Sequence, residues 1–464
     1  MFVKEFRKFI RWRAIVSGFL FSSEQLRDES RSLSEKATEA FQTGQTDRLR
    51  FLLGRMSVGS FELYNGYLHW NARLAGKILS DFGESFLEEV LSEITSFIVT
   101  PFAKDLSKEA DREKRAIEGI TSLWTQQLGP VIDMRETPDE VSFSLAPCGS
   151  GGRILLESWN RLLPNVYPTM ENGTPIFCRI CESFQKAVND AAGYSFWKVI
   201  PTTIYTGFCR VSFAKRDTRG GNLFRASEWE ALSISRCKQA LKSLDPGRMN
   251  RRKGTNLLEL LKDQHNEWQP LHDLYCLLVT AIFSVIYREK GQDYLSELVW
   301  KTYVPLFESA YIAHSILDDL TLFRMLVRNW YYHQARFQVA EEENRFVFTL
   351  DPCGSGGRLN RAELGGRGKF RYGKELLSEI SEASELTFMR PSFPAYCIHC
   401  AVTNKDQFLG KPWAFLIDGD SICDASTPCR QYLYKKTAGR RASPQLLSQV
   451  GLINAEPLQK GYML

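Results

Sequence analysis

Pro147-Cys148-Gly149-Ser150-Gly151-Gly152-Arg153 returns, letter for letter, as Pro352-Cys353-Gly354-Ser355-Gly356-Gly357-Arg358. Seven identical residues at two places in one chain mark an internal repeat, which limits the possible folds more than composition does. The residues that follow each copy agree. Pro175-Ile176-Phe177-Cys178-Arg179-Ile180-Cys181 corresponds to Pro394-Ala395-Tyr396-Cys397-Ile398-His399-Cys400, a proline, an aromatic and a Cys-x-x-Cys pair in the same order. Further on, Cys209-Arg210 with Lys215 corresponds to Cys429-Arg430 with Lys435. Each half therefore holds four cysteines in matched sequence.

The chain has 464 residues, enough for two units that each bury a core. A net charge of +5 is small for this length and does not point to a nucleic-acid partner. Lys4, Arg7, Lys8, Arg11 and Arg13 precede the apolar run from Ala14 to Phe21. That run is at the short limit for a secretory signal and lacks a small-x-small cleavage site, so residues 1–22 are expected to form an amphipathic helix or extension. No other run is read as long enough to span a bilayer. Eleven cysteines, an odd number grouped in Cys-x-x-Cys pairs, indicate intracellular metal sites rather than a secreted disulfide framework. A cytoplasmic protein, possible as an oligomer, with a small-molecule ligand and neither nucleic-acid nor membrane partners is expected.

Apolar residues spaced three and four apart predict helices from Ser23 to about Glu136. Glu140–Leu145 and Arg345–Leu350 alternate with period two, predicting strands that lead into the glycine loops, and strands follow at Cys209 and Gln431. Asp217–Asn222 is polar and glycine-rich, a linker. The predicted architecture is α+β: a first repeat over 23–216, a second over 217–436 and a tail over 437–464. Each repeat would have a helical part and a small antiparallel strand part, the two pairing as a pseudo-dimer.

Four thiolates suit a closed tetrahedral zinc site, and Cys-x-x-Cys brings two sulfurs to one ion. The expected ligands are Cys148, Cys178, Cys181 and Cys209 in the first repeat, then Cys353, Cys397, Cys400 and Cys429 in the second. An iron–sulfur cluster uses the same ligands and stays open as the alternative to two zinc ions. Cys423 competes with Cys429 for the fourth position. Cys237 and Cys276 fall on helical patterns and read as small buried hydrophobes. The glycine loops either wrap backbone around a metal-bound sulfur or form an anion nest closed by Arg153 or Arg358.

Five of the six histidines lie in the second half. His265, Asp273 and His399 stand where the repeat alignment places Glu62, Trp70 and Ile180. Imidazole suits proton transfer near neutral pH, so the second repeat is the expected working half. His272 or His399 would act as acid or base, Arg358 would hold an anion, and His265 and Asp273 would line the pocket. The expected function is small-molecule chemistry of hydrolase or lyase type, with a non-catalytic ligand sensor or scaffold and an iron–sulfur redox protein as alternatives.

With its Leu271-His272-Asp273, PCGSGGR, Cys-x-His-Cys and Pro428-Cys429-Arg430 motifs, the second unit resembles a bacterial protein family to which no reaction attaches. In architecture it is similar to vinyl-4-reductase-type small-molecule-binding domains and to the aminothiazoline-carboxylate hydrolase group. That likeness implies helices followed by strands around a cysteine-bound metal, and no catalytic residue.

Overall fold

The computed structural model describes residues 19–59, 61–103, 110–127, 131–159, 173–203, 208–216, 254–307, 316–364, 376–408, 415–421, 427–436 and 443–452, with positions 170, 222–225, 228–229, 232 and 370 between them. The described elements of the first part are helices α1 (Ser23–Glu29), α2 (Leu33–Gln42), α3 (Thr46–Gly59), α4 (Phe61–Ala103) and α5 (Ala110–Gln126), then strands β1 (Val131–Glu136) and β2 (Glu140–Leu145), then α6 (Gly151–Trp159), α7 (Phe177–Ala192), β3 (Trp197–Ile200) and β4 (Cys209–Ala214). The second part runs α8 (Gly254–Tyr303), α9 (Asp319–Tyr332), β5 (Phe337–Glu341), β6 (Arg345–Leu350), α10 (Gly356–Asn360), β7 (Glu379–Ile380), β8 (Phe393–Pro394), α11 (Ile398–Phe408), β9 (Phe415–Ile417), β10 (Cys429–Tyr434) and α12 (Pro444–Ser448). The class is α+β, as expected.

Two four-stranded sheets have matching orders, β1-β2-β4-β3 and β5-β6-β10-β9, and every pairing in them is antiparallel. Alternation decides their buried faces: Val141, Phe143 and Leu145 of β2 turn inward with Val211 and Phe213 of β4, and Phe346, Phe348 and Leu350 of β6 do the same in the other sheet. The helical reading to Glu136 fails at β1. There Thr137 turns the chain back, its Oγ1 accepting N–H groups of Asp139 and Glu140 at 3.3 and 3.1 Å, and β1 gains pairing with β2 that its composition does not announce.

Both long helices break at one glycine with nearly the same backbone, Gly83 (φ 83, ψ 176) and Gly291 (φ 78, ψ −179), a left-handed region that side chains disfavour. An asparagine pins an edge strand in each sheet. Asn189 Nδ2 donates to Trp197 O and its Oδ1 accepts from Trp197 N, both at 2.8 Å; Asn404 does the same to Ile417 at 2.7 and 2.9 Å.

A buried ion pair closes each sheet. Lys215 Nζ lies 3.0 Å from Glu136 Oε1, and Lys435 Nζ lies 2.7 Å from Glu341 Oε1. Each carboxylate also accepts two backbone N–H groups from a Leu-Phe pair: Leu223 and Phe224 on Glu136, Leu20 and Phe21 on Glu341. The phenylalanines anchor these straps, Phe21 against Phe323 at 4.6 Å and Phe224 against Trp229 at 4.5 Å.

By packing, residues 34–285 form one unit, and residues 1–33 with 286–464 form another. The division falls inside α8, whereas the repeat pattern placed a boundary at 216/217. The reason is local: Tyr275 and Phe283 of α8 pack on Tyr67 and Trp70 of α4, inside the unit that holds the first sheet. The N-terminal residues 19–29 join the other unit through Glu341. Within the expected tail, α12 buries Leu446, and Val450 beyond it is buried too. Among the described residues one helical stretch, Gln269–Leu306, is long and apolar enough to cross a membrane, but 83% of its apolar window is buried inside the protein, as in a core helix. Its uncharged part, Leu274–Tyr287, is bounded by Asp273 and Arg288 and is by itself shorter than a membrane span.

Candidate functional site

Each glycine loop leaves the end of an inner strand at a cis proline, Pro147 after β2 and Pro352 after β6. The loop then folds back on its own cysteine. Gly152 N donates to Cys148 Sγ at 3.0 Å and Gly357 N donates to Cys353 Sγ at 2.9 Å. The glycines are needed for close approach. A Cβ at Gly151 would lie 2.5 Å from Cys178 Sγ, and one at Gly356 would lie 2.5 Å from Cys397 Sγ. A Cβ at Gly354 would strike the His333 carbonyl oxygen. The knuckle cysteines open α7 and lie at the start of α11, and the last cysteine of each set begins β4 or β10, opposite Leu145 or Leu350.

None of the eight predicted thiols is in a disulfide. Burial pushes the Cys178 thiol well up, and the neighbouring Cys148, Cys181 and Cys209 push it further. Burial likewise raises Cys181 to about 12, with Cys148 adding to it. In the second set, burial raises Cys400, with Cys397 and Cys353 contributing, and raises Cys429, with Cys353, Cys400 and Cys397 contributing. Among the described residues no three His, Cys, Asp or Glu side chains converge tightly enough to hold an ion as they stand. The sulfurs are electrostatic neighbours whose donor set suits a thiophilic metal, short of a preformed coordination sphere. Cys423 and Cys237 lie outside the described residues.

Both loop arginines are turned to internal use. Arg153 is buried and donates to Gln127 O; Arg358 is 5% exposed and its Nη2 donates to Glu363 O at 3.3 Å. His399 packs edge-on between Tyr396 and Tyr303, its Nδ1 2.5 Å from Tyr396 O and its Nε2 3.6 Å from Cys400 Sγ. Burial pulls its pKa down to about 4. His265 is on α8, but its side chain lies outside the described ones.

His272 belongs to the unit of the first quartet, while Arg358 and His399 belong to the other. It is fully buried. Its Nδ1 lies 3.3 Å from Asp273 Oδ1, so the adjacent carboxylate, expected to point away by helix geometry, does reach the ring. Its Nε2 lies 3.7 Å from Cys276 Sγ, one helical turn on. Tyr67 from α4 brings its hydroxyl to 3.3 Å from the same sulfur, and its ring stacks on Tyr275 at 5.8 Å and 4°. Burial acts to lower the His272 pKa, but Cys276 and Asp273 outweigh it and hold the value up at about 9. The Tyr275 hydroxyl accepts from Gln127 Nε2 at 3.2 Å, which joins this cluster to the residue that receives Arg153.

An open cleft of about 330 Å³ lies beside β10, lined by Arg345, Arg430, Asp418, Ser421, Thr427 and Ser443 among others. Arg345 stacks over Tyr432 at 4.3 Å, whose hydroxyl donates to Asp418 at 3.0 Å. Arg430 is exposed there and has no ion pair among the described residues.

No protein family, curated protein or solved structure matches the chain. Three features escaped the sequence reading. Cys276 was legible only as a helical apolar position. Tyr67 lies two hundred residues from its sulfur partner, as the hydrogen bond's separation of 209 positions records. The two Leu-Phe straps could have been found as a further repeat match, Gly18-Phe19-Leu20-Phe21 against Gly221-Asn222-Leu223-Phe224.

Proposed function

We propose that the chain is a tandem-repeat metalloprotein in which each cysteine quartet holds one zinc ion as a structural cross-link, and that it acts on a small molecule through His272. The carrying observation is the pair of loops in which a glycine N–H donates to the loop sulfur while another glycine leaves room for the knuckle sulfur. N–H donors lower the cost of thiolate charge in a buried place, and the same arrangement occurs twice. Matching strand orders, helix breaks and Lys–Glu pairs support the duplication. Cys148, Cys178, Cys181 and Cys209 would hold one ion, Cys353, Cys397, Cys400 and Cys429 the other. Bound zinc would tie a strand end, a glycine loop and a helix start together and would do no chemistry on substrate.

For acid–base work His272 is better supported than His399, since Asp273 orients its ring and a thiol stands beside it. His399 serves the knuckle through Tyr396 O. The reading of a ligand sensor without turnover draws on a different observation, the cleft beside Arg430. Its guanidinium would meet an anion beside Asp418 and Asp420, whereas Arg358 is spent on a carbonyl, and the cleft's lining has neither His nor Cys. Metal analysis with a visible spectrum of purified protein tests the central proposal. Two zinc ions and no colour are expected; iron with visible absorbance would replace zinc by clusters, and metal-free folded protein would overturn it.

A further inference from the structure

The seam between α4 and α8 is apolar nearly throughout, with Trp70, Leu271, Leu277, Leu278 and Phe283 buried in it. Polar side chains cost free energy there unless they satisfy one another. Yet Tyr67, His272, Asp273 and Cys276 meet at one point, at 5%, 0%, 4% and 1% exposure. A cysteine that only fills space needs no imidazole. This sulfur has Tyr67 Oη at 3.3 Å, His272 Nε2 at 3.7 Å and His272 Nδ1 at 3.9 Å. The ring's Nδ1 lies 3.3 Å from the Asp273 carboxylate, and its Nε2 is the nitrogen nearer the sulfur, at 3.7 Å against 3.9 Å for Nδ1. A nucleophile, a base and an orienting acid are therefore within reach of one another, the three groups that together activate a thiol for attack on carbon.

We propose that Cys276 is a covalent nucleophile for acyl transfer, with His272 as its base and acid and Asp273 as the group that positions the imidazole. This deepens the acid–base reading of His272 and is independent of the metal. The substrate class is a small uncharged acyl compound, an ester, thioester or amide, because the site is enclosed and already holds one carboxylate. With His272 neutral, a form that gains population as pH rises toward about 9, the Cys276 proton passes to His272 Nε2 as Sγ bonds to the carbonyl carbon, and the π pair moves to oxygen, toward which the Tyr67 hydroxyl is the nearest donor. The oxyanion collapses, the bond to the leaving group breaks, and the leaving heteroatom takes the proton from His272. Water, giving its proton to His272, then cleaves the thioester; the carboxylic acid departs and the proton returns to sulfur. Access by the acyl compound requires the seam to open, since the thiol is covered at rest.

The test uses the full-length protein with p-nitrophenyl acetate as probe. Acyl adducts are located by peptide mass spectrometry, nitrophenolate release is followed in time, and zinc content is measured on the same samples. An acetyl group on Cys276 is expected, formed at least about a hundredfold more slowly in His272→Gln and absent in Cys276→Ser. Absence of the adduct from folded wild-type protein, or an unchanged rate in folded His272→Gln, overturns the proposal. Should both variants fail to fold, wild-type mapping decides alone. A missing adduct with zinc present refutes the nucleophile and leaves the metal reading intact; an adduct without zinc does the reverse.

Discussion

Replacing Glu341 by glutamine leaves Lys435 in the interior without its counter-charge. The pair is 2.7 Å apart with side chains 3% and 1% exposed, so solvent cannot take over the carboxylate's part. Removing one member of such a buried pair costs about 3–5 kcal/mol, most of it the desolvation of the charge left behind. Glutamine keeps one acceptor oxygen for the strap N–H groups of Leu20 and Phe21, which places Glu341→Gln near the low end, about 3 kcal/mol. At roughly 2–4 °C per kcal/mol for a unit of this size, the melting transition should fall by about 6–12 °C. Circular dichroism against temperature and urea measures this, and limited proteolysis should find the 19–29 segment newly open to cleavage. Adding Lys435→Met removes the stranded charge and leaves an apolar side chain near the Phe19 and Phe346 rings over which the Lys435 Nζ lies, so the double variant should be more stable than Glu341→Gln alone. A loss below about 1 kcal/mol, the value of a surface pair, or a double variant whose losses simply add, would refute this account.

The unit holding His272 should lose stability with rising pH. The folded pKa of about 9 lies above the ordinary 6.5, so the folded state binds the proton more tightly; the contribution is complete below about pH 6.5 and is lost as pH rises through about 9. Urea unfolding across that window should show a decline on the order of 3 kcal/mol that His272→Gln flattens. Asn404→Ala should cost about 2–4 kcal/mol, because both the N–H and the C=O of Ile417 lose their partner in a buried place. Faster hydrogen exchange confined to 415–417 and its neighbours checks it.

Strand periodicity made β2 and β6 legible, and the second-half motifs located β10, because alternating side chains on a half-buried sheet leave a period of two in the sequence. The outer strands β1, β3, β5 and β9 were not legible. Edge strands of four to six residues or fewer take their state from the neighbour they pair with, as Trp197 and Ile417 do from an asparagine on a helix. The two Cys-x-x-Cys pairs and the repeated loop were legible because a tight turn and a repeated loop survive in the order of residues, whereas no coordination sphere forms among the described residues. The pocket expected from Arg358, His272 and His399 was not brought together within either unit, because sequence halves and packing units differ.

What the sequence determined on its own is local and repeated: the glycine loops, the knuckles, the inner strands and the matched lysines, each written in neighbouring residues. What only the tertiary structure decided is which distant side chains share an enclosed space. Glu136 and Glu341 became the partners of Lys215 and Lys435, each also held by a strap from elsewhere in the chain, and Tyr67 came to rest on Cys276. The physical reason is that a buried charge or thiol is defined by the groups that replace water around it, and those groups arrive from parts of the chain that no local pattern connects.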